Sequence, residues 1–175
     1  LRGLYAITPD WQDTARLLTV TEAILHAGCR ILQYRNKLVP DALRLTQANA
    51  LRRLTLQHGA RLIINDDLDL ALNCDADGVH LGETDGQLGA ARLRLNALGS
   101  ARWLGASCYQ SLPMAMGAAR AGADYIAFGS FFASPTKPQA KRAETALIKA
   151  AKHETGLPVC AIGGITTLNA GSLIE

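Results

Sequence analysis

Five times along this chain a helical stretch ends at a glycine, and a short apolar run follows within a few residues. The phrases are HAGCRILQ, QHGARLII, ALGSARWLG, RAGADYIAFG and ETGLPVCAIGG, with the glycines at Gly28, Gly59, Gly99, Gly122 and Gly156. Glycine suits the left-handed residue that closes a helix, because it has no Cβ to clash there. A helix stop, a short loop and a strand, repeated this often, is the rhythm of βα units. Two architectures accommodate it: an open doubly wound sheet and a closed (β/α)8 barrel.

Strands are predicted at Leu4–Ile7, Arg30–Tyr34, Leu62–Asn65, Gly78–Leu81, Trp103–Ala106, Tyr125–Gly129 and Pro158–Ile162. They are mostly apolar throughout, as strands of a parallel sheet covered on both faces should be. Helical periodicity marks residues 12–27, with Leu17, Val20, Ile24 and Leu25 on one side, and resumes after Pro40 with Leu43, Ala50, Leu51 and Leu54. A short helix is expected from Asp67. Another is capped by Ser111 with Pro113 in its first turn, and two more cover 139–153 and 167–175. The glycine-rich dinucleotide fingerprint is missing after the first strand, where the chain reads ITPDW, and this favours the barrel. Seven strands are one too few for a barrel, and such folds usually need at least about 200 residues. The expectation is therefore an α/β chain, a (β/α)8 TIM barrel whose eighth β/α unit is absent from this chain, with residues 1–175 forming a single domain.

Composition removes several functions. With 49% hydrophobic and 19% charged residues, the chain can bury a core. A net charge of +3 and 5% aromatics argue against nucleic acid. No run of about 18 apolar residues exists to span a membrane, and Leu1 to Pro9 does not read as a signal peptide. The cysteines, Cys29, Cys74, Cys108 and Cys160, are far apart in sequence, so neither a zinc site nor a disulfide framework is expected and a cytoplasmic setting fits. Cys160 falls in an apolar strand, as a core residue would.

In parallel barrels the strand carboxyl ends share one mouth, where active sites sit. Here those ends carry Gln33, Arg35 and Lys37; Asn65 and Asp66; Glu83 and Asp85; Ser107; Ser134, Thr136 and Lys137; and Gly163-Gly164. The amino ends carry mostly glycine and alanine. Strand alternation would put Gln33, Arg35 and Lys37 on one side. Buried cations need partners, so either an anionic ligand or a structural Arg35–Asp66 pair is expected. Asp66 and Asp85 fit a hard divalent ion such as Mg²⁺, which takes one or two carboxylates with water and substrate phosphate. Acid clusters in surface loops also serve solubility alone. Asp67 and Asp69 are expected to face solvent at a helix start, and His80 to be a hydrogen-bonded core residue. Ser134, Thr136 and Lys137 in FFASPTKPQA suit a phosphate or a plain turn. Gly163-Gly164 precede a helix expected near Thr166 or Thr167, a backbone arrangement that binds anions.

Together LYAITPD, QYRNK, INDD, GVHLGETD, GAS, SPTK and AIGGIT resemble the thiamine-phosphate synthase family, in its order and approximate spacing, over essentially the whole chain. The resemblance implies a (β/α)8 barrel and a transferase of thiamine biosynthesis. Hydroxymethylpyrimidine diphosphate and thiazole phosphate would give thiamine phosphate and pyrophosphate by Mg²⁺-assisted dissociative displacement. It implies that Gln33, Arg35, Lys37, Asn65, Ser107 and Lys137 contact the pyrimidine diphosphate, with Arg35, Lys37, Ser107 and Lys137 as the catalytic set. It also implies that Asp66 and Asp85 bind Mg²⁺, and that Ser134, Thr136 and Gly164 hold the thiazole phosphate. Asn36 stands where the family usually has Glu, Ser134 where it has Thr, and Glu83 where Gln is common. Many relatives carry a His where this chain has Cys108-Tyr109. A thiazole tautomerase would use such a His, and its lack, with the acids and Lys137 retained, favours the synthase over that isomerase; a non-catalytic phosphate-binding barrel stays as a further alternative. Oligomeric state is not readable from the residues.

Overall fold

A computed structural model describes residues 3–82, 87–97, 99, 101–133 and 142–174. Seven strands alternate with helices in the order β1 (Tyr5–Ile7), α1 (Thr14–His26), β2 (Ile31–Tyr34), α2 (Asp41–Gln57), β3 (Arg61–Asn65), α3 (Leu68–Asn73), β4 (Gly78–Leu81), α4 (Leu88–Asn96), β5 (Trp103–Tyr109), α5 (Leu112–Arg120), β6 (Tyr125–Gly129), α6 (Thr145–Thr155), β7 (Val159–Ile162) and α7 (Gly171–Ile174). The strand order in the sheet is the chain order, and the pairs run parallel. The alternation of strand and helix is the one that the glycine rhythm anticipated, and a parallel sheet in chain order is that of the (β/α) barrel class preferred from the sequence. All five helix-ending glycines adopt positive φ.

The chain divides into two compact units, Leu1–Leu81 with Leu95–Trp103, and Gly82–Arg94 with Leu104–Glu175. In the first, Leu32, Leu51, Leu62, Ile63, Ile64 and Val79 are fully buried. Each such side chain stabilises the fold by roughly 1.5–3 kcal/mol relative to exposure. In the second, Ala106, Ala115, Ile126, Phe128, Ile148 and Ala151 form the buried cluster. Cys29, Cys74 and Cys108 are buried too, while Cys160 is only half-buried in β7. Burial pushes the Cys74, Cys108 and Cys160 thiols up to about 11.

Some boundaries move for local reasons. Ser111 caps α5, accepting the Met114 N–H at 3.2 Å, as its sequence predicted. The helix expected over 139–153 begins at Thr145 instead. The one expected over 167–175 shortens to α7, because Asn169 competes with it: its Oδ1 accepts the Thr166 N–H at 2.7 Å and its Nδ2 donates to the Gly164 carbonyl at 3.0 Å.

Gly78 opens β4 against Trp103. A Cβ there would lie 2.3 Å from the Trp103 carbonyl oxygen, and the Trp103 N–H already donates to the Asp77 carbonyl at 2.8 Å. Gly78→Ala should therefore destabilise the protein by about 1–3 kcal/mol, read as a lower urea midpoint. An unchanged midpoint would show that β4 can shift away from Trp103.

Candidate active site

The first segment after β1 lies alongside the segment that leaves β2. Thr8 donates its backbone N–H to the Gln33 carbonyl at 2.9 Å. Its hydroxyl accepts the Arg35 N–H at 2.9 Å and donates to the Arg35 carbonyl at 3.0 Å. Asp10 completes the match, one carboxylate oxygen taking the Lys37 N–H at 2.7 Å and the other pairing with the Arg35 guanidinium at 2.6 Å. Asn36, between the two cations, turns inward. Its amide donates to the Trp11 carbonyl at 2.8 Å and to Gln47 at 3.1 Å, while Gln47 also accepts the Tyr34 hydroxyl at 2.8 Å. Burial pushes that hydroxyl up to about 12, so it stays protonated. With Asn36 pinned in this buried network, the backbone on either side of it has little freedom, and Arg35 and Lys37 inherit that rigidity.

This corrects the strand argument. β2 ends at Tyr34, so alternation does not carry Gln33, Arg35 and Lys37 to one side. Gln33 is buried in the strand and donates to the Tyr5 hydroxyl at 3.0 Å, while Arg35 and Lys37 are placed by the loop. Nor does Arg35 pair with Asp66. Its partner is Asp10, and Lys37 is the one that reaches Asp66, at 2.8 Å. Asp10 was not singled out in the sequence, although its place in ITPDW, just past a strand's carboxyl end, was the available signal.

β3 delivers Asn65, half-buried at its last position, and then Asp66 in a left-handed conformation with φ 63°. The Asp66 N–H donates to the His80 carbonyl at 2.8 Å, which fixes this unusual turn. Asp67 caps α3, accepting the Leu70 N–H at 2.8 Å, and also pairs with Arg44 at 2.7 Å. It is therefore not simply a solvent-facing acid. Asp69 lies in the first turn of α3, as expected.

His80 is buried in β4, and desolvation lowers its imidazole to about 4 despite the opposing charge of Asp66. Its ordinary value is 6.5. As pH falls the unfolded chain takes the proton first, so the stability from neutral His80 is complete above pH 6.5 and is lost towards pH 4. The loss should be on the order of 3 kcal/mol. Urea melts across this window should show His80→Gln with a flatter pH slope than the parent; equal slopes would place the titration elsewhere.

In the second unit, Ser107 is half-buried in β5, opposite Ala127 of β6, just before a register shift that ends at Tyr109. Gly164 follows β7 with φ 64°, and a Cβ there would lie 2.3 Å from the Ala133 carbonyl oxygen. The close backbone approach explains glycine at this position. Because α7 is only four residues long and starts at Gly171, the expected helix amino end does not adjoin Gly163-Gly164. Glu83, Asp85, Ser134, Thr136 and Lys137 lie outside the described residues.

Charge is not confined to the carboxyl ends, as the sequence had led us to expect. On the amino edge of the first unit, Arg52 pairs with Asp77 at 2.7 Å and with Asp75 at 3.6 Å, Arg61 with Asp77 at 3.6 Å, and Arg102 with Asp75. The Asp77 carboxylate also accepts the Leu62 N–H at 2.8 Å. These charges hold β3 and β4 together. At the carboxyl edge of this unit the pairs Arg35–Asp10 and Lys37–Asp66 are borne on partly exposed side chains.

What the carboxyl edge can do follows from its donors. Arg35 spends one nitrogen on Asp10, and a guanidinium has five N–H groups. Lys37 is 56% exposed at its side chain, so an anion can reach it. The Asp66 carboxylate is a hard oxygen donor beside a cation, a donor set that fits Mg²⁺ with a phosphate ligand.

A family model described as thiamine monophosphate synthase matches residues 4–175. A thiamine-phosphate synthase of Methylobacillus flagellatus is 53% identical over 175 residues, covering 100% of this chain and 82% of the relative. One from Thiobacillus denitrificans is 51% identical over 173 residues, 99% of this chain and 81% of the relative. Among solved structures, a thiamine phosphate pyrophosphorylase from Pyrococcus furiosus superposes with a TM-score of 0.83 at 31% identity, covering 97% of this chain and 79% of that one.

Proposed function

The chain belongs to the thiamine monophosphate synthase family, and from that premise we infer that it is an enzyme whose activity is thiamine-phosphate synthesis. It is a transferase of thiamine biosynthesis acting on small molecules. The substrates we assign are hydroxymethylpyrimidine diphosphate and thiazole phosphate. The bond between the pyrimidinylmethyl carbon and the diphosphate oxygen breaks, the oxygen keeps the electron pair, and pyrophosphate leaves. The thiazole nitrogen then bonds to the pyrimidinylmethyl cation, giving thiamine phosphate.

The Lys37–Asp66 contact at 2.8 Å carries this reading, because the segments that leave two successive strands, β2 and β3, bring a cation and a carboxylate to one place. Arg35 and Lys37 bind the diphosphate and stabilise its charge as it departs. Gln33 and Asn65 orient the pyrimidine, with Ser107 and Lys137 as further diphosphate contacts. Ser134, Thr136 and the Gly164 backbone hold the thiazole phosphate. Asp66 and Asp85 would hold Mg²⁺, which neutralises diphosphate charge when bound. No strong base is needed, so neutral, buried His80 has no proton to move. The family model runs through both compact units, which supports reading residues 1–175 as one domain. Four free cysteines support a cytoplasmic setting, and among the described residues no helix is long and apolar enough to cross a membrane.

The test supplies both substrates to the purified chain and follows thiamine phosphate and pyrophosphate together. Equal amounts of each product are expected with Mg²⁺, none with excess chelator, and recovery when Mg²⁺ is restored. Chelator-insensitive synthesis would remove Mg²⁺ from the reaction. Folded protein that makes no product would overturn the transfer itself.

A further inference from the structure

At the amino edge of the first unit, the helix ends bring together a second set of metal-ligating side chains. Glu22 and His26 are four residues apart on α1, so helix geometry stacks them on one face. His58 is the residue that closes α2, and α1 packs against α2. The His26 and His58 rings meet edge to face with centroids 4.6 Å apart. One ligand atom from each of Glu22, His26 and His58 can be chosen so that all lie within 4.8 Å of one another.

We propose that Glu22, His26 and His58 form a binding site for a borderline divalent metal ion, with Zn²⁺ as its representative, that clips the ends of α1 and α2 together. Two imidazoles and one carboxylate are the donors such ions prefer over Mg²⁺. A tetrahedral Zn²⁺ with ligands at about 2.0–2.1 Å needs donors roughly 3.3 Å apart. The donors already lie within 4.8 Å of one another, and with Glu22 and His26 exposed and His58 half-buried, their side chains have room to rotate towards that spacing. Water would fill the fourth position. His26 ends α1 and His58 caps α2, so both ligands sit at helix carboxyl ends, whose dipoles favour a cation. The nearby Arg30 guanidinium is turned to the Leu25 and Cys29 carbonyls, at 3.0 Å each. His26 and His58 precede β2 and β3, whereas Lys37 and Asp66 follow them. The site therefore lies on the opposite edge from the proposed chemistry, and its effect is on stability.

The experiment titrates the whole chain with Zn²⁺ in the presence of millimolar Mg²⁺, which occupies hard oxygen sites. One Zn²⁺ should bind per chain with micromolar affinity and raise the melting temperature. His26→Gln and His58→Gln should each weaken binding by about tenfold or more and abolish the thermal shift, with Glu22→Gln weaker in effect. Of the four histidines, only the ring protons of His26 and His58 should respond to Zn²⁺ in NMR spectra of the unsubstituted protein. This readout does not depend on the variants folding. Zn²⁺ binding that survives both histidine substitutions, ring signals that do not respond, or no uptake below millimolar Zn²⁺ would each overturn the site.

Discussion

Lys37→Met should lower kcat/KM for thiamine phosphate formation by about 10²–10³-fold. Methionine keeps most of lysine's unbranched apolar stem and removes the ammonium, with its charge and its three donors. That charge lies 2.8 Å from Asp66, where the diphosphate and its metal are proposed to sit. As the carbon–oxygen bond breaks, negative charge grows on the departing group, so a fixed cation does more in the transition state than in the bound ground state. Most of the loss should then appear in kcat, with KM changing less. Stability should hardly move, because the Lys37 side chain is more than half exposed and such pairs contribute about 0–1 kcal/mol. Lys37→Arg should recover part of the rate. Steady-state kinetics with melting curves on all three proteins make the check. A Lys37→Met enzyme with the parent's kcat would take Lys37 out of the chemistry.

Asp10→Asn should cost about 10–10²-fold in kcat/KM, although Asp10 is proposed to touch neither substrate. Its carboxylate holds the Arg35 guanidinium at 2.6 Å and the Lys37 N–H at 2.7 Å. Asparagine preserves an acceptor for the backbone N–H and loses the charge that orients Arg35. The guanidinium, 37% exposed, then samples other rotamers, and its alignment with the diphosphate is lost. Because Asp10 is a positioning residue acting through Arg35, the two changes should not add. Arg35→Ala with Asp10→Asn should be no slower than Arg35→Ala alone. A double mutant showing the full product of both losses would mean that Asp10 contributes independently.

Read alone, the chain specifies its helix stops, its strands and its class. These are local matters: a glycine accepts positive φ where other residues resist it, as at Gly28 and Gly156, and an apolar run such as RLIIN forms a strand wherever neighbours cover it. The joint motifs also carry the family, since their order needs no coordinates. Partner choice was not legible. Arg35 has acids at Asp10, Asp66 and Asp67 to choose from, and composition ranks none of them. The decision came from Thr8 pairing with Gln33 and Arg35, which runs ITPD beside QYRNK and gives Asp10 to Arg35, leaving Asp66 for Lys37. Likewise Glu22, His26 and His58 are scattered by up to 36 positions in sequence and meet only because α1 packs against α2. Backbone conformation is set over a few residues, whereas charge pairing and ligand clustering depend on which distant segments the folded chain lays side by side.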